Sequence, residues 1–481
     1  MSDFLINITG LVEAFLLIYG LKRMSSPVTA HSGMLVAGIG MLVAVLASFL
    51  YIFGVNVAAR PHLMTNAILS VVALGIGLIW AWWTGRRVPI TAMPQMVALY
   101  NGMGGGAAGA IAAVELVKNS SDNAVHVAVA VIGGLIGAVS LSGSLVAWGK
   151  LDGRIRKPWR ITGQKILNGG LLIITVLAGA YIVFSQSWLG YGAYADIIIF
   201  FVLALAFGIL VTLPIGGADM PVVIALYNAA TGLAVGLDGF VLQNPALMIA
   251  GMVVGSAGTL LTLLMAKAMN RSVANVLFSN FGDVNIEQQG EIKGRLKPVE
   301  ASDAAITMRY AGTVIIAPGY GLAAAQAQQK LYEFVKLLQG AGVEVKFAIH
   351  PVAGRMPGHM DVLLAEAGVP YDLLYELDEI NEEFKTADVA LVIGANDVVN
   401  PAARTNKASP IYGMPILNVD QAHQIYVVKR GQGRGYAGVE NELFYADNCN
   451  MVYGDAQAVL TKMVQAIKEL GEQEEKAPAA A

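Results

Sequence analysis

Residues 313–324 read TVIIAPGYGLAA, a run of β-branched and apolar residues that leads directly into two glycines and then into small residues. This pattern predicts a buried strand, a tight turn and a helix. A second apolar run follows at 343–349, and two strands joined by a glycine turn and a helix within roughly 30 residues are typical of dinucleotide-binding proteins. Glycines in the turn let a pyrophosphate approach the start of the helix. The predicted cofactor contacts in this stretch are Gly319, Tyr320, Gly321, Leu322, Ala323 and Ala324.

The remainder of the C-terminal half alternates in the same way between short apolar runs and helical stretches. We predict a long helix from about 321 to 339, directly after the glycine turn. The predicted strands lie at 313–317, 343–349, 371–376, 388–393, 415–419 and 424–429. Because this alternation is typical of a doubly wound parallel sheet, we assign residues 309–481 to a Rossmann-like α/β domain.

Charge at the strand ends favours NADP(H) over NAD(H). NAD sites usually place an acidic residue at the end of the second strand, where it binds the ribose 2′-hydroxyl, but the residues here are Ile349, His350 and Pro351. Instead, Lys429 and Arg430 follow the last predicted strand and precede a glycine-rich segment at 431–436. Such a basic pair suits a 2′-phosphate. The alternative is a solvated pair of surface charges beside a loop.

The N-terminal half has the composition of a membrane protein. Hydrophobic residues make up 56% of the 481 residues and charged residues only 14%, against roughly 25% charged in soluble proteins. Nine apolar segments approach the roughly 20 residues that a spanning helix needs. They lie at 4–21, 33–53, 64–84, 93–114, 124–147, 166–184, 194–213, 221–236 and 245–266. We therefore predict a polytopic α-helical membrane domain over 1–266, with a linker at 267–308.

The distribution of basic residues gives the predicted orientation. With the C-terminal domain in the cytoplasm, the cytoplasmic loops and the end of the last span hold 12 Lys and Arg residues, and the opposite loops hold only 2. Cytoplasmic loops of membrane proteins are enriched in Lys and Arg. This asymmetry supports nine spans and a cytoplasmic C-terminal domain.

Polar residues recur inside the predicted spans. The phrase Met-Pro-x-x-(Val/Ile)-Ala-Leu-Tyr-Asn occurs twice and places Asn101 and Asn228 at equivalent positions, four spans apart. Asp219 precedes the second phrase, and Ser144 belongs to a serine stripe in the fifth span. Intramembrane polar groups often mark a transport path. They can also simply hold helices together, as can the glycine pairs spaced four residues apart in several spans.

Composition also excludes several classes of function. The chain contains one cysteine, Cys449, which excludes an intramolecular disulfide and a cysteine metal cluster. We expect no metal site. The net charge of −3 does not indicate a basic surface for binding nucleic acid.

The sequence resembles the beta subunit of the proton-translocating NAD(P) transhydrogenase family along nearly its whole length. The motifs that carry the resemblance are GGADMP at 216–221, KAMNRS at 267–272, PGYG at 318–321, HPVAGR at 350–355, GAND at 394–397, and Lys429 and Arg430 followed by GYAG at 435–438. The resemblance implies that this chain supplies part of a membrane proton channel together with an NADP(H)-binding domain. It also implies a separate alpha subunit that binds NAD(H), an assembly of two alpha–beta units, and coupling of proton entry to reduction of NADP⁺ by NADH.

The resemblance further implies roles for individual residues. Gly319, Gly321 and Ala324 would form the pyrophosphate turn, Asp397 would be a coupling carboxylate near the nicotinamide, and Lys429 with Arg430 would hold the 2′-phosphate. Other implied cofactor contacts are Val352, Ala353, Gly354, Arg355, Met356, Gly394, Ala395, Asn396, Gly435 and Tyr436. The implied channel residues are Asp219, Asn228, Ser144 and Asn101, although some family members have histidine at the position of Asn101.

Two other functions are compatible with parts of the pattern. A transporter or channel could carry a cytoplasmic domain that only senses NADPH, without passing a hydride. A membrane anchor for an unrelated soluble reductase is also conceivable, but the recurrence of polar residues inside the spans disfavours it.

Overall fold

The structure is a computed structural model, and it describes most of the chain. The described residues are 2–54, 62–118, 123–155, 159, 163–188, 194–216, 219–278, 294–354, 358–407, 409, 411–431, 433, 435 and 437–476.

Long helices occupy the N-terminal half, one at each of the nine predicted segments. They are α1 Ser2–Met24, α2 Pro27–Gly54, α3 Leu63–Gly85, α4 Met93–Lys118, α5 Ala124–Leu151, α6 Gln164–Trp188, α7 Tyr194–Thr212, α8 Met220–Val241 and α9 Pro245–Ala268. Within the described residues, eight of these helices, α2 to α9, are long and apolar enough to cross a membrane. The chain is therefore a multi-pass membrane protein, and a crossing by α1 remains a prediction.

Glycines allow close packing of α4 on α5. An added β-carbon at Gly137 of α5 would lie 2.7 Å from both the Gly105 carbonyl oxygen and the Gly109 amide nitrogen of α4. At Gly105 it would lie 2.9 Å from the β-carbon of Ser140. Small residues at these positions let the two backbones approach, which is how helices associate in lipid without a hydrophobic driving force.

The C-terminal half contains a six-stranded parallel sheet with helices around it, which confirms the predicted fold class. The strands are β1 Thr313–Pro318, β2 Glu344–Ile349, β3 Leu374–Glu376, β4 Val389–Ile393, β5 Gln424–Lys429 and β6 Cys449–Tyr453, in the order β3-β2-β1-β4-β5-β6. The helices are α10 Val273–Phe278, α11 Ala301–Arg309, α12 Tyr320–Ala324, α13 Gln328–Gly340, α14 His359–Glu366, α15 Leu377–Ile380, α16 Ala402–Thr405 and α17 Ala456–Lys476. Helix α17 packs against α11 and α13.

Four details of the predicted sheet domain were wrong. In the predicted strand 371–376, Tyr371–Leu373 form a 3-10 turn, and only Leu374–Glu376 pair with β2 as β3. The predicted helix at 321–339 is broken into α12 and α13, because Gln326 adopts a positive φ of 51° between them. The segment 415–419 is not a strand: β1 and β5 occupy both sides of β4, so the segment cannot join β4, and it pairs with no other strand in the part of the chain that the structure describes. Individual hydrogen bonds hold this segment instead. For example, the Leu417 amide donates to the Val398 carbonyl at 2.9 Å. The sixth strand, β6, which begins with the buried Cys449, was not predicted.

By packing, the chain divides into two compact units. The first comprises Met1–Leu213 and Ile224–Leu260, and the second comprises Pro214–Val223 and Leu261–Ala481. The predicted boundaries at 266 and 308 remain predictions. In the second unit, the sheet forms a core with fully buried residues such as Ile315, Val392 and Val427.

Candidate cofactor-binding site

The strand order places a crevice where β1 and β4 lie side by side. The chain leaves β1 for β2 on one side and later crosses to β4 on the other, and ligands of open α/β sheets bind at the carboxyl ends of strands at such a reversal. A cavity of about 490 Å³ lies at this edge. It is lined by thirteen of the predicted residues: Gly319, Tyr320, Gly321, Val352, Ala353, Gly354, Gly394, Ala395, Asn396, Asp397, Lys429, Arg430 and Gly435.

The glycine turn after β1 packs directly on the turn after β4. The Gly319 amide donates to the Ile393 carbonyl at 2.8 Å, and the Gly321 amide donates to the Gly394 carbonyl at 3.0 Å. An added β-carbon would lie 2.5 Å from the Ala395 α-carbon at Gly319 and 2.6 Å from the Gly394 α-carbon at Gly321. The two glycines are thus required by contact between the two turns, in addition to any approach of a cofactor.

The turn residues divide between the cavity and the core. Gly319, Tyr320 and Gly321 line the cavity, whereas Leu322 and Ala323 are fully buried. Ala324 is exposed at the end of α12 and is not a lining residue. Helix α12 has only five residues, so a pyrophosphate here would meet a short turn rather than a long helix dipole.

His350 holds the loop after β2. Its Nδ1 accepts from the Val352 amide at 3.1 Å, so its Nε2 carries the proton and donates to the Pro415 carbonyl at 2.8 Å. The side chain is 1% exposed, and burial lowers the pKa of His350 to about 4, although the bond to Pro415 opposes this shift. The neutral imidazole therefore ties the lining residues Val352 and Ala353 to the end of the strand.

Gly354, in the same loop, lies against a second histidine, His359. Its φ of 113° favours glycine, and an added β-carbon would lie 2.6 Å from the β-carbon of His359. His359 is buried and its ring lies 6.4 Å from that of Tyr320, measured between centroids. Predicted contacts at Arg355 and Met356 lie outside the described residues.

Asp397 positions the glycine-rich segment that follows β5. Its Oδ2 accepts from the Ala437 amide at 3.0 Å, and Gly435 lies directly against the carboxylate, where any side chain would collide. The carboxylate thus fixes Gly435 and Ala437, two residues that line the cavity. Tyr436, predicted to contact the cofactor, lies outside the described residues.

Lys429 brings a half-buried positive charge to the cavity. Its Nζ lies 4.5 Å from the centroid of the Phe444 ring. Burial lowers the pKa of Lys429, while the negative charges of Asp397 and Glu440 act in the opposite direction. Arg430 is exposed beside it. One partly desolvated cation and one exposed guanidinium are well suited to a phosphate monoester.

In the helical unit, hydroxyl and amide side chains form a polar cluster at the contact of α4, α5 and α8. The Asn101 amide donates to Ser144 Oγ at 3.0 Å and to Ser140 Oγ at 3.5 Å. Ser140 in turn donates to the Tyr227 carbonyl at 3.1 Å and bonds the Thr231 hydroxyl at 2.5 Å. The structure thus brings the predicted Asn101 and Ser144 together. Asn228 is half-buried on α8 and takes no part in these contacts.

Asp219 lies just before α8 and is paired. The Arg271 guanidinium donates to its two oxygens at 2.8 and 3.0 Å, and both side chains are largely buried. Burial raises the pKa of Asp219 to about 6, and the charge of Arg271 opposes this rise. The predicted carboxylate is thus half of a buried ion pair in the second unit.

Comparison with known proteins gives one consistent result. The family model of the NAD(P) transhydrogenase beta subunit matches residues 6–466. Two sequences named NAD(P) transhydrogenase subunit beta from Rhodospirillum rubrum, one of them from a defined strain, are each 44% identical over 469 residues, covering 95% of this chain and 98% of theirs. The chain belongs to the NAD(P) transhydrogenase beta subunit family. As a member of that family it is an oxidoreductase subunit.

Several residues that shape this transhydrogenase site were missed by sequence reasoning. Asn441 donates to the carbonyl and the side-chain oxygen of Asn396, both at 3.0 Å, and buried Asn400 donates to the Glu440 carbonyl at 3.0 Å. Asparagine is common in loops, so the sequence gives no sign that these two are buried. His350 was read only as part of a motif, although a histidine directly after a buried strand could have indicated a loop anchor.

Proposed function

We propose that this chain is the beta subunit of a proton-translocating, Re/Si-specific transhydrogenase. It would bind NADP(H) and exchange hydride with NAD(H) bound on a partner alpha subunit, and that exchange would be coupled to inward translocation of a proton. The chain would then belong to an enzyme that is both an oxidoreductase and a translocase.

The observation that carries the cofactor assignment is the half-buried Lys429 in the cavity at the β1–β4 crevice. The carboxyl end of β2 offers His350, which is engaged with backbone groups, and no carboxylate for a ribose 2′-hydroxyl. Lys429 attracts a 2′-phosphate, and the end of β2 has no acidic residue that would bind a 2′-hydroxyl instead. Together these two features favour NADP(H) over NAD(H). Gly319, Gly321 and Gly394 also line this cavity, so no side chain of theirs occupies space beside a pyrophosphate.

Each part of the site has a distinct task in this proposal. NADP(H), when bound, carries the hydride, and this chain has to hold and orient it. Lys429 and Arg430 bind the 2′-phosphate, and the turn at Gly319 and Gly321 receives the pyrophosphate. Asp397 holds Gly435 and Ala437, which line the cavity. Hydride transfer between two nicotinamide rings needs alignment and exclusion of water more than it needs an acid or a base.

In the membrane unit, the cluster around Asn101 and Ser144 is our candidate proton path, with Asn228 and Asp219 as further candidates. Hydroxyls can pass a proton along hydrogen bonds without holding a charge, and the Asn101 amide donates to two of them. If protonation in the path changes affinity for NADP(H), the redox state of bound NADP(H) must change proton binding by the same factor.

The family implies the partners and the location. We propose that the chain assembles with an alpha subunit into a homodimer of alpha–beta units in the bacterial cytoplasmic (cell inner) membrane, with its C-terminal domain in the cytoplasm. The asymmetry of Lys and Arg between the loops supports that orientation.

The test is hydride transfer by this chain co-purified with its alpha subunit in sealed vesicles. Transfer from NADPH to an NAD⁺ analogue is followed together with a pH-sensitive dye. We expect transfer to be accompanied by a proton gradient and to accelerate when an uncoupler collapses it. Tight NADPH binding without transfer would contradict the proposal and favour a transporter regulated by an NADPH-sensing domain.

A further inference from the structure

Helices α5 and α8 form an antiparallel seam of small and polar residues. Gly143 of α5 lies directly against the ring of Tyr227 of α8. About one helical turn further along α8, the Thr231 hydroxyl forms a hydrogen bond with Ser140 of α5. At the next contact, an added β-carbon on Gly133 would lie 3.3 Å from Oδ1 of Asp238. Positions seven apart in a helix fall on one face, so Thr231 and Asp238 belong to the same seam.

Asp238 is the exception in this seam because its side chain has no hydrogen-bond partner among the described residues. The residue is 1% exposed, and neither carboxylate oxygen has a hydrogen-bond partner in the part of the chain that the structure describes. The atoms near the Gly133 contact are from Leu237 and Ala234, which offer no charge. Sequence reasoning missed Asp238, because it ended the eighth span at 236, whereas α8 continues to Val241.

A buried, unpaired carboxyl group gives the fold neither an ion pair nor a hydrogen bond. Ionisable residues within membrane spans are costly and by default mark a transport pathway. The other polar members of the seam and of its cluster, namely Asn101, Ser140, Ser144 and Thr231, are amides and aliphatic hydroxyls. None of them takes up and releases a proton in the ordinary pH range.

Other titratable groups lie toward the same end of the helical unit. Glu115 of α4 bonds Lys118 at 2.8 Å. His126 stands in the first turn of α5, seven residues before Gly133 and therefore on the same face. Asp196 lies in the first turn of α7. Within the described residues, none of the ion pairs formed at this end includes Asp238.

We propose that Asp238 is a proton-binding group of this transhydrogenase subunit, at the end of the α5–α8 seam away from Met220. A proton adds to one carboxylate oxygen to give the neutral acid and later leaves from the same oxygen, so only an O–H bond forms and breaks. This inference rests on the proposed function. Seven residues of helix rise about 10 Å, so water between the helices has to connect Asp238 with Thr231.

The experiment compares Asp238→Asn, which keeps the shape but cannot ionise, with Asp238→Glu, which restores a carboxyl group. Both are made in the full alpha–beta complex in sealed vesicles. Asp152→Asn, which replaces an exposed carboxylate paired with Arg154 at 2.7 Å at the other end of α5, is the matched control. We expect Asp238→Asn to reduce proton translocation at least tenfold and to remove one titrating step from its pH profile. Asp238→Glu and the control should retain both.

Infrared difference spectra provide a readout that does not depend on turnover. Spectra of the purified complex between high and low pH should contain a carboxylic-acid carbonyl band that disappears in Asp238→Asn and shifts in Asp238→Glu. Removing an unpaired buried carboxylate should not lower the unfolding temperature, so loss of folding in Asp238→Asn would contradict the inference. Unchanged translocation with an unchanged pH profile would also overturn it, as would equal loss in the Asn and Glu variants.

The two proposals fail in distinguishable ways. A wild-type complex that transfers no hydride, or transfers it without a proton gradient, overturns the proposed function. The infrared comparison then still decides whether Asp238 binds a proton, and a spectrum without an Asp238-dependent band overturns the inference alone.

Discussion

At the scale of single residues, Lys429 concentrates the chemistry of the candidate site. It is half-buried between the Phe444 ring on one side and the cavity on the other, with Asp397 and Glu440 close enough to act on its charge. A cation held in this way loses little side-chain freedom when a phosphate binds. Its neighbour Arg430 is exposed and has more freedom to lose.

We expect Lys429→Ala to weaken NADPH binding by about 1.5–3 kcal/mol, the range of hydrogen bonds to charged groups. Titration calorimetry of the complex with NADPH and with NADH measures the effect. Lys385→Ala, which removes an exposed lysine paired with Glu382, is the control and should bind both as the wild type does. Equal losses for NADPH and NADH would show that Lys429 does not contact the 2′-phosphate.

His350 makes the sheet domain sensitive to acid. Burial depresses its pKa to about 4 in the folded state, whereas an unfolded histidine titrates near ~6.5. The unfolded chain therefore binds the extra proton first as pH falls below that value. Stability is fully present above ~6.5 and is lost progressively toward pH 4, by about 2 kcal/mol between pH 7 and 5.

Denaturant unfolding of the protein at several pH values between 5 and 7 measures this slope. We expect His350→Gln to be less stable than the wild type at pH 7 and to lose less stability on acidification. His423→Gln, which replaces an exposed histidine, should keep the wild-type slope. A His350→Gln protein with the full slope would place the titrating group elsewhere.

At the scale of elements, what the sequence predicts depends on how local the cause is. The turn at Gly319 and Gly321 and the nine long helices of the N-terminal half follow from local patterns, and the structure has an element at each of these positions. Segment 415–419 cannot pair with β4, because β1 and β5 already pair with both sides of that strand. This pairing involves residues far away in the sequence, so local propensity cannot predict it. Likewise, the burial of Asn400 and of Asp238 arises only when separate elements pack, so neither could be predicted from the local sequence.

Close packing of α4 on α5 predicts a contrast between two glycines. Gly137→Ala places a methyl group against the backbone of Gly105 and Gly109, and we expect it to destabilise the helical unit by about 1–3 kcal/mol, as overpacking does. Gly170→Ala in α6, where nothing lies within 4 Å, should be neutral or slightly stabilising. Thermal unfolding in detergent measures both, and equal effects would contradict the packing seen here.

At the scale of the whole molecule, the two compact units make ligand effects separable. NADPH should stabilise the second unit, by ~2.7 kcal/mol at a concentration 100 times its Kd. Calorimetry in detergent, with and without NADPH, should show the transition of the second unit moving by more than that of the helical unit. NADH at the same concentration is the control, and an equal shift with NADH would contradict NADP(H) preference.

The single cysteine of the chain has a practical consequence. Cys449 is buried at the start of β6, and burial raises the pKa of its thiol to about 12. A thiol that is neither accessible nor ionised reacts slowly with alkylating reagents. Site-specific labelling therefore does not require the removal of Cys449. A cysteine introduced at one exposed position can carry a spin label or fluorophore while Cys449 stays unlabelled. Reaction of Cys449 itself would then report, in the same sample, how much of the sheet has opened.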